Sequence, residues 1–494
     1  MLFLPGRDCN LLLLPLETKS EIISYLKPGD VLKLSSTCHV MREILFSTVF
    51  HRIVIRPNID DEVMKRARTC KTRNSLYRIL NQDGYIPENI LPYARHCVIP
   101  LWRTLCSPLQ DHAVDALLGA YSNSFLRLNL ESLILFCVPL TPSLLSNMRE
   151  LSHLKSLALQ SCEFGHVSVT NVRNVVMALK LEKLEITKAS WWGASNKDQN
   201  GIIEALFSIT GNLVELKHDD HKLAKALAST PIVPPLQVLH IRYKEFKDAV
   251  NFICRIPTLV TLSIDEHYRS GLSTFLEHLT DPDLTISLSS FPRLRQLTCP
   301  PKFVSALVGS HNLSRLCFFT DGFDVYRLRT STDVQPVLSQ MLSGSDAWFR
   351  LDRYRNIQEL HIPLTFAFGI TAYSSGAGLR QLKKLTIDVY PMITADLISD
   401  REWLNSNLAR FSTTFAIPSL RHLRFINLPF TRRNLNVNIP VNDLIETYQS
   451  HFVRLERFSF WLRERVFWEF KRDLPDGTWA SWDSEEGENQ ESKF

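Results

Sequence analysis

No stretch of this 494-residue chain is apolar for long enough to cross a bilayer. The one short leucine run, residues 11–16, is flanked by Arg7, Asp8 and Glu17, which argues against an export signal. Phosphate-cradling loops are missing as well. Neither G-x-x-x-x-G-K-[ST] nor G-x-G-x-x-G occurs, and G-x-S-x-G, the turn that presents a hydrolase serine, is absent. Among the ten cysteines no pair has C-x-x-C spacing, so neither a zinc site nor a redox pair is indicated. Most lie in apolar runs, as Cys137, Cys162, Cys254 and Cys317 do, where a free thiol packs as a small hydrophobe. That usage fits a reducing compartment, cytoplasmic or nuclear. A large charge excess is lacking too: 56 basic against 51 acidic residues leave a net +5, too little for wholesale electrostatic binding of nucleic acid. No cofactor is indicated.

What is present is an ordinary folded composition, 45% hydrophobic and 22% charged. The length exceeds one compact core and implies several domains or one extended array. Near the N-terminus, Pro15 and Pro28 bracket a helical stretch. Thr18 and Glu21 have the spacing of a capping box, Ile22, Ile23 and Leu26 give one apolar face, and Pro28-Gly29 is expected to end the helix. Asp30 is expected to cap a second helix whose apolar face carries Val31, Leu34 and Cys38. A third helical segment around residues 40–46 and a strand-like Ile53-Val54-Ile55 follow. Three short helices bury little surface, so the module needs a partner or the next domain.

These residues resemble an F-box. The likeness runs from Leu14 to Ile55: Leu14-Pro15 with Glu17, the Ile23 and Leu26 pair, Asp30-Val31-Leu32 with Leu34-Ser35, Cys38, Arg42, and Phe50-His51-Arg52. The resemblance implies docking onto the Skp-type adaptor of a cullin-RING ubiquitin ligase. The implied contact residues are Leu14, Pro15, Ile23, Leu26, Leu32 and Phe50.

Beyond about residue 93 an L-x-x-L-x-L pattern returns a dozen times, the signature of a leucine-rich repeat. Clear copies are Leu130-Leu133-Leu135, Leu154-Leu157-Leu159, Leu181-Leu184-Ile186, Leu236-Leu239-Ile241 and Leu259-Leu262-Ile264. Weaker or later ones are Leu213-Leu216, Leu294-Leu297-Cys299, Leu313-Leu316-Phe318, Ile357-Leu360-Ile362, Leu382-Leu385-Ile387, Leu420-Leu423-Phe425 and Leu455-Phe458-Phe460, with Ala94-Cys97-Ile99 opening the series. Cys162 takes the Asn/Cys place of the longer consensus. Alternation along a strand turns the last two apolar residues of each copy to one core. Helix-period sets lie between copies: Val114, Leu117, Leu118 and Tyr121, then Val172, Val175, Val176 and Leu179, with further sets at 272–279 and 441–448.

The expected fold class is therefore α/β: a short helical F-box, then an irregular leucine-rich-repeat solenoid, a horseshoe of parallel strands with outer helices. The expected boundaries are a tail at 1–10, the F-box at 11–57, a helical linker at 58–92, the array at 93–472 and a mobile acidic tail at 473–494, where Trp479 and Trp482 can dock back. Long insertions are expected at 264–294 and 318–357. The basic run Lys65, Arg66, Arg68, Lys71 and Arg73 fits a solvated linker helix.

Residues between the core leucines are expected on the concave side. They turn basic toward the C-terminus, and Arg242, Arg421, Arg424, Arg457 and Trp461 are the candidate substrate contacts. His218-Asp219-Asp220-His221 has metal-ligand residue types but follows a strand, where solvated loop residues are expected. Trp191-Trp192 fits loop packing. The function implied is a non-catalytic substrate adaptor of an SCF-type ubiquitin ligase, with an unknown protein substrate. The alternative is a non-ligase scaffold using the same two surfaces.

Overall fold

The computed structural model of the protein describes residues 14–26, 28–54, 92–100, 111–123, 125, 128–165, 167–191, 196–207, 211–220, 233–243, 246–266, 286–287, 291–299, 307–308, 312–318, 356–363, 379–388, 417, 419–426, 452, 454–462, 465–472 and 479–483. The basic run at 65–73 and the helical sets at 272–279 and 441–448 lie outside these residues. The chain divides into two compact units, Met1–Pro234 and Pro235–Phe494, where one continuous array over 93–472 was expected.

The first unit opens with α1 (Leu16–Ser24), α2 (Pro28–Ser35) and α3 (His39–Val49). Leu14 precedes a proline, which disfavours helical backbone there. The helix then starts at once: the Lys19 N–H donates to the Pro15 carbonyl at 3.0 Å. Thr18 is already inside the first turn and no side chain caps α1, so the expected capping box is not formed. Pro28 begins α2 instead of ending α1, because the first turn of a helix does not need the N–H that proline lacks. Asp30 consequently sits within the first turn rather than capping it.

At the far end of α2 the hydroxyls of Ser35, Ser36 and Thr37 donate to the carbonyls of Leu32, Lys33 and Leu34 at 2.7, 2.6 and 2.7 Å. They satisfy last-turn acceptors that have no intrahelical partner. Because α2 stops there, Cys38 leaves the apolar face on which it was expected. It is exposed and caps α3, its Sγ accepting from the Met41 N–H at 3.4 Å. Val31, Met41 and Leu45 form the small core, with Ile23, Leu26, Leu34, Ile44 and Val49 packed against it.

The remaining elements of this unit are β1 (Arg52–Val54), β2 (His96–Pro100), α4 (Asp111–Asn123), β3 (Ser132–Phe136), α5 (Pro142–Arg149), β4 (Ser156–Gln160), α6 (Val169–Ala178), β5 (Lys183–Thr187), α7 (Asn196–Phe207) and β6 (Glu215–His218). Strands β1 to β6 are parallel and neighbour one another in chain order. Leu133, Leu157, Leu184 and Leu216 stand in register, as do Leu135, Leu159, Ile186 and His218. Each is buried against the helix side, where Val114, Leu118, Leu144, Val172, Val175, Ile203 and Leu206 are buried too. A buried leucine contributes roughly 1.5–3 kcal/mol, so the spacing itself drives the stacking. Helix ends are capped locally: Thr141 accepts from Leu144 N–H, Ser168 from Asn171 N–H, and the Asp115 carboxylate from the backbone and hydroxyl of Ser143 at 2.8 and 2.9 Å.

One turn recurs at the end of three strands. Cys137, Ser161 and Lys188 directly follow β3, β4 and β5, with φ of 55°, 55° and 52°. The left-handed residue aims its N–H at the next repeat: Cys137 donates to Gln160 O at 2.8 Å and Ser161 to Thr187 O at 2.7 Å. Cys162, 0% exposed, then donates its thiol to Leu135 O at 3.3 Å, which is the role its consensus place implies.

The second unit contains β7 (Val238–Tyr243), α8 (Phe246–Ile253), β8 (Thr261–Glu266), β9 (Ile286–Ser287), β10 (Gln296–Cys299), β11 (Leu307–Val308), β12 (Arg315–Phe318), β13 (Glu359–Pro363), β14 (Lys384–Asp388), β15 (His422–Ile426), β16 (Arg457–Leu462), β17 (Arg465–Arg472) and β18 (Trp479–Asp483). Strands β7, β8, β10 and β12 to β16 form a parallel series, and β9 pairs with β11 apart from it. The series is not parallel to its end. Only residues 463–464 separate β16 from β17, too few for a crossover, so β17 and then β18 return antiparallel. Trp479–Asp483 thus belongs to the sheet, which corrects the expectation of a mobile tail from 473. Cys254, expected in the core, is exposed just past α8.

Candidate functional site

Two surfaces gather the residues singled out in the sequence. The first is on the three-helix module. A groove of about 380 Å³ runs between α2 and α3, lined by Leu32, Lys33, Ser35, Ser36, Arg42, Phe46, Val49 and Phe50. Leu32 is 59% exposed on its rim, and Phe50, half-buried, meets Phe46 in a tilted pair with ring centroids 4.6 Å apart. Pro15 is exposed and Leu14 half-buried at the start of α1. Ile23 and Leu26 are half-buried against the module's own core rather than presented outward. The sequence pattern did not single out Tyr25 and Val40 as surface groups, yet they are 80% and 48% exposed. The signal was there: both fall off the apolar faces that Ile23, Leu26, Met41 and Leu45 define.

This module is joined to the sheet rather than tethered beside it. Strand β1 pairs with β2, Arg52 opposite His96, and the His51 carbonyl accepts from both Arg95 and His96 N–H at 3.0 Å. Tyr93 meets Phe46 edge-on at 5.4 Å, and His51 meets His96 at 4.5 Å.

The second surface is the open face of the sheet, carried by the residues between the buried leucines. In the first unit its charges cancel across strands. Lys183 meets Glu215 at 2.9 Å, Lys217 meets Glu185 at 3.1 Å, and Gln160 donates to Glu185 at 3.0 Å. Toward β2 and β3 it is apolar, with half-buried Val98, Ile134 and Phe136.

The second unit is different, and it separates the candidate residues. Arg242 is spent within the sheet: its Nε and Nη2 hold Asp265 Oδ2 at 2.7 and 2.5 Å. Arg421 lies one residue before β15 and pairs with Glu456 at 3.2 Å, off the open face. Arg424 and Arg457 do share that face. The register sets His422 against Arg457 and Arg424 against Ser459, which makes the two arginines diagonal neighbours. Trp461 pairs by backbone with Val466 just past an irregularity in β16, and its side chain lies outside the description. The same register brings in Arg315 and Lys384, each 3.7 Å from Glu359, and the His361 ring, which the sequence pattern alone did not single out. Burial, then the cations Arg315, Arg424 and Lys384, hold the His361 imidazole down to about 4. Cys317, against it at 3.0 Å, is pushed up to about 11 by burial.

Three residues of the His-Asp-Asp-His run, His218 to Asp220, take structural places. His218, expected in a solvated loop, ends β6 at the third apolar place of its repeat, 2% exposed, and burial holds it down to about 4. The Asp219 carboxylate accepts from Lys188 N–H at 2.8 and 2.9 Å, standing in for the carbonyl a longer β6 would supply. Asp220 accepts from Trp191 Nε1–H at 2.8 Å, and Trp191 stacks on Phe164 at 4.6 Å. His221 lies outside the described residues. Among the described residues no group of three or more His, Cys, Asp or Glu is placed to hold a metal, and no helix is long and apolar enough to cross a membrane.

Comparison with known proteins places an F-box domain at residues 11–53. No curated protein matches the chain. Among solved structures, a complex of TLR13 with ssRNA13 is similar at 13% identity and a TM-score of 0.29, covering 85% of this chain. The chain spans 56% of the length of that protein. At that score the likeness carries no argument, and the fold rests on the strand register.

Proposed function

We propose that the protein is a substrate-recognition subunit of an SCF-type ubiquitin ligase. Its F-box docks on a Skp-type adaptor, and its leucine-rich repeats hold a protein substrate. The observation that carries this is the F-box domain at 11–53 with apolar groups left outward, Leu32 at 59% exposure on the rim of the α2–α3 groove and Tyr25 at 80% exposure at the end of α1. Exposed leucine and tyrosine on so small a module favour a partner that covers them. No residue of this chain does chemistry in that scheme. The mechanism is proximity: a bound substrate is held at high effective concentration near a loaded conjugating enzyme. The β1–β2 pairing supports it, because a module built into the sheet holds the first unit's open face at a fixed attitude to the adaptor. A cytoplasmic or nuclear setting goes with this reading.

Capture of a Skp-type adaptor by the full chain is the test. Covering Leu32 contributes roughly 1.5–3 kcal/mol, so Leu32→Asp is expected to weaken capture by about ten-fold or more. Leu14→Ala/Pro15→Ala is expected to act in the same direction with the fold intact. A folded wild type that captures no adaptor overturns the proposal.

A further inference from the structure

Three hydroxyls close the end of α2, and they are not equivalent. Ser35 is buried, 8% exposed, and Thr37 is not among the residues that line the α2–α3 groove. Ser36 is exposed and lines the groove. Lys33 stands three residues before it, whereas Leu32 and Leu34 hold that place before Ser35 and Thr37. The spacing Lys33-x-x-Ser36 sets an ammonium about one helical turn from the hydroxyl, on the same groove. A basic side chain on that side of a serine is also a charge pattern by which protein kinases choose substrates.

A second cation stands beside Ser36, supplied by α3. Arg42 Nε donates to the Ser35 carbonyl at 3.4 Å, so the guanidinium rests against the peptide that joins Ser35 to Ser36. Its planar fork suits phosphoryl oxygens, and Lys33 adds a point charge. The acidic groups nearby are Asp30, 3.8 Å from Lys33, and Glu43, which meets His39 at 3.5 Å. The helix ends offset each other. Ser36 follows the C-terminus of α2, which disfavours an anion, and precedes α3, whose N-terminus favours one. Arg42 and Lys33 therefore decide where a negative group added at Ser36 settles.

We propose that Ser36 is a phosphorylation site whose modification closes the α2–α3 groove to the adaptor. Ser36 Oγ attacks the γ-phosphorus of ATP held by a protein kinase that selects basic residues before serine. The new O–P bond forms as the bond from that phosphorus to the β–γ bridging oxygen breaks. ADP leaves, and the hydroxyl proton passes to the kinase's base. The small core of Val31, Met41 and Leu45 lets the α2–α3 connection open to such a kinase at low cost. Once esterified, Oγ no longer donates to the Lys33 carbonyl, a bond of 2.6 Å in the unmodified chain. The phosphoryl group takes the Arg42 guanidinium and the Lys33 ammonium instead, which sets about −1.5 to −2 charge beside Leu32. An adaptor covering Leu32 must strip water from that charge, which is costly even for a paired one. This rests on the adaptor reading of the groove and adds its regulation.

The test uses the full chain, unmodified and with a phosphoryl group installed at Ser36, each offered to a Skp-type adaptor. The phosphorylated chain is expected to bind about ten-fold or more weaker, a difference of about 1.4 kcal/mol, and phosphatase treatment to restore capture. A kinase selecting basic residues before serine, supplied with ATP, is expected to label Ser36 in the folded chain, read by mass spectrometry. Absence of phosphate at Ser36 overturns the proposal, and so does equal capture by the two chains. Hydrogen exchange at the Met41 and Leu45 amides is followed in both chains. Weakened capture with those amides unprotected overturns the proposal too, because unfolding rather than charge then explains the loss. An unmodified chain that captures no adaptor fails the ligase reading, whereas capture that phosphorylation leaves unchanged fails this one alone.

Discussion

Replacing His218 with leucine tests whether the repeat rule reaches a position where the sequence breaks it. The imidazole stands in register with Ile186, 2% exposed, where neighbouring repeats place a leucine or isoleucine. Burial holds its proton affinity down, from 6.5 to about 4, and the charge and backbone of Asp220 only partly oppose this. The folded state therefore disfavours the protonated ring while the unfolded chain accepts the proton from pH 6.5 downward. Stability tied to this group is complete above 6.5 and is lost as pH falls toward 4. At about 1.36 kcal/mol per pH unit the full interval corresponds to about 3 kcal/mol, of which about 2 kcal/mol is lost by pH 5. Leucine carries no proton, so wild type and His218→Leu should differ little near pH 7.5 and diverge on acidification. For a unit of this size about 2 kcal/mol corresponds to roughly 4–8 °C in Tm. Thermal melts of both full-length proteins at about pH 7.5 and pH 5 measure this directly. Any fixed repacking cost of leucine shifts both pH values equally, and the other histidines are common to both chains. A Tm difference that stays constant between the two pH values would refute the reasoning.

Three further substitutions probe the first unit. Asp219→Ala removes the acceptor of the Lys188 N–H and should lower stability by about 1 kcal/mol, read as a shift in urea midpoint. Lys188→Gly should raise it by about 0.5–1 kcal/mol, because glycine relieves the φ of 52° that the turn imposes. In Gly201→Ala the new methyl would lie 2.7 Å from Val169 Cγ2, so a loss of about 1–3 kcal/mol is expected. Val169→Ala should rescue most of it; an undiminished loss in the double variant would show that α6 and α7 do not meet there.

The strands were legible because their requirement is local. Two inward apolar residues at i+3 and i+5 suffice to place β3, β4, β5, β8 and β12 to β16, since one strand-helix unit can bury its face only by stacking. Cys162 was legible for the same reason, its thiol donating where the consensus puts it. Shorter elements were not. Helix α5 spans eight residues with a polar outer face, and its only advertisement was Thr141-Pro142, an N-cap followed by a proline at the first turn. Strands β17 and β18 were missed because an antiparallel return needs no leucine spacing. The start of α1 was misread because Thr18 and Glu21 offered a local cap, while Pro15 had already fixed the turn three residues earlier.

The open face of the second unit shows where local reading stops. Alternation assigns Arg424 and Arg457 to the open side from the sequence alone, but their neighbours come from strands far apart in the chain. Only register puts Arg315, His361 and Lys384 beside them. Arg421 differs from Arg424 by a rule that recurs along both units. The residue immediately before a strand is consumed by the matching residue of an adjacent repeat: Arg95 meets Glu131 at 3.9 Å, Lys383 meets Gln358 at 3.2 Å, and Arg421 meets Glu456 at 3.2 Å. These contacts are exposed and individually weak, on the order of 0–1 kcal/mol. Their effect is on placement: a cation at that place lies at the strand start beside the matching residue of the next repeat, whereas one set one or three places further along lies on the open face. Counting from the first inward leucine of each repeat thus separates cations placed at the strand start from those placed on the open face. By that count Arg421 belongs to the strand start, and Arg315, Lys384, Arg424 and Arg457 to the open face.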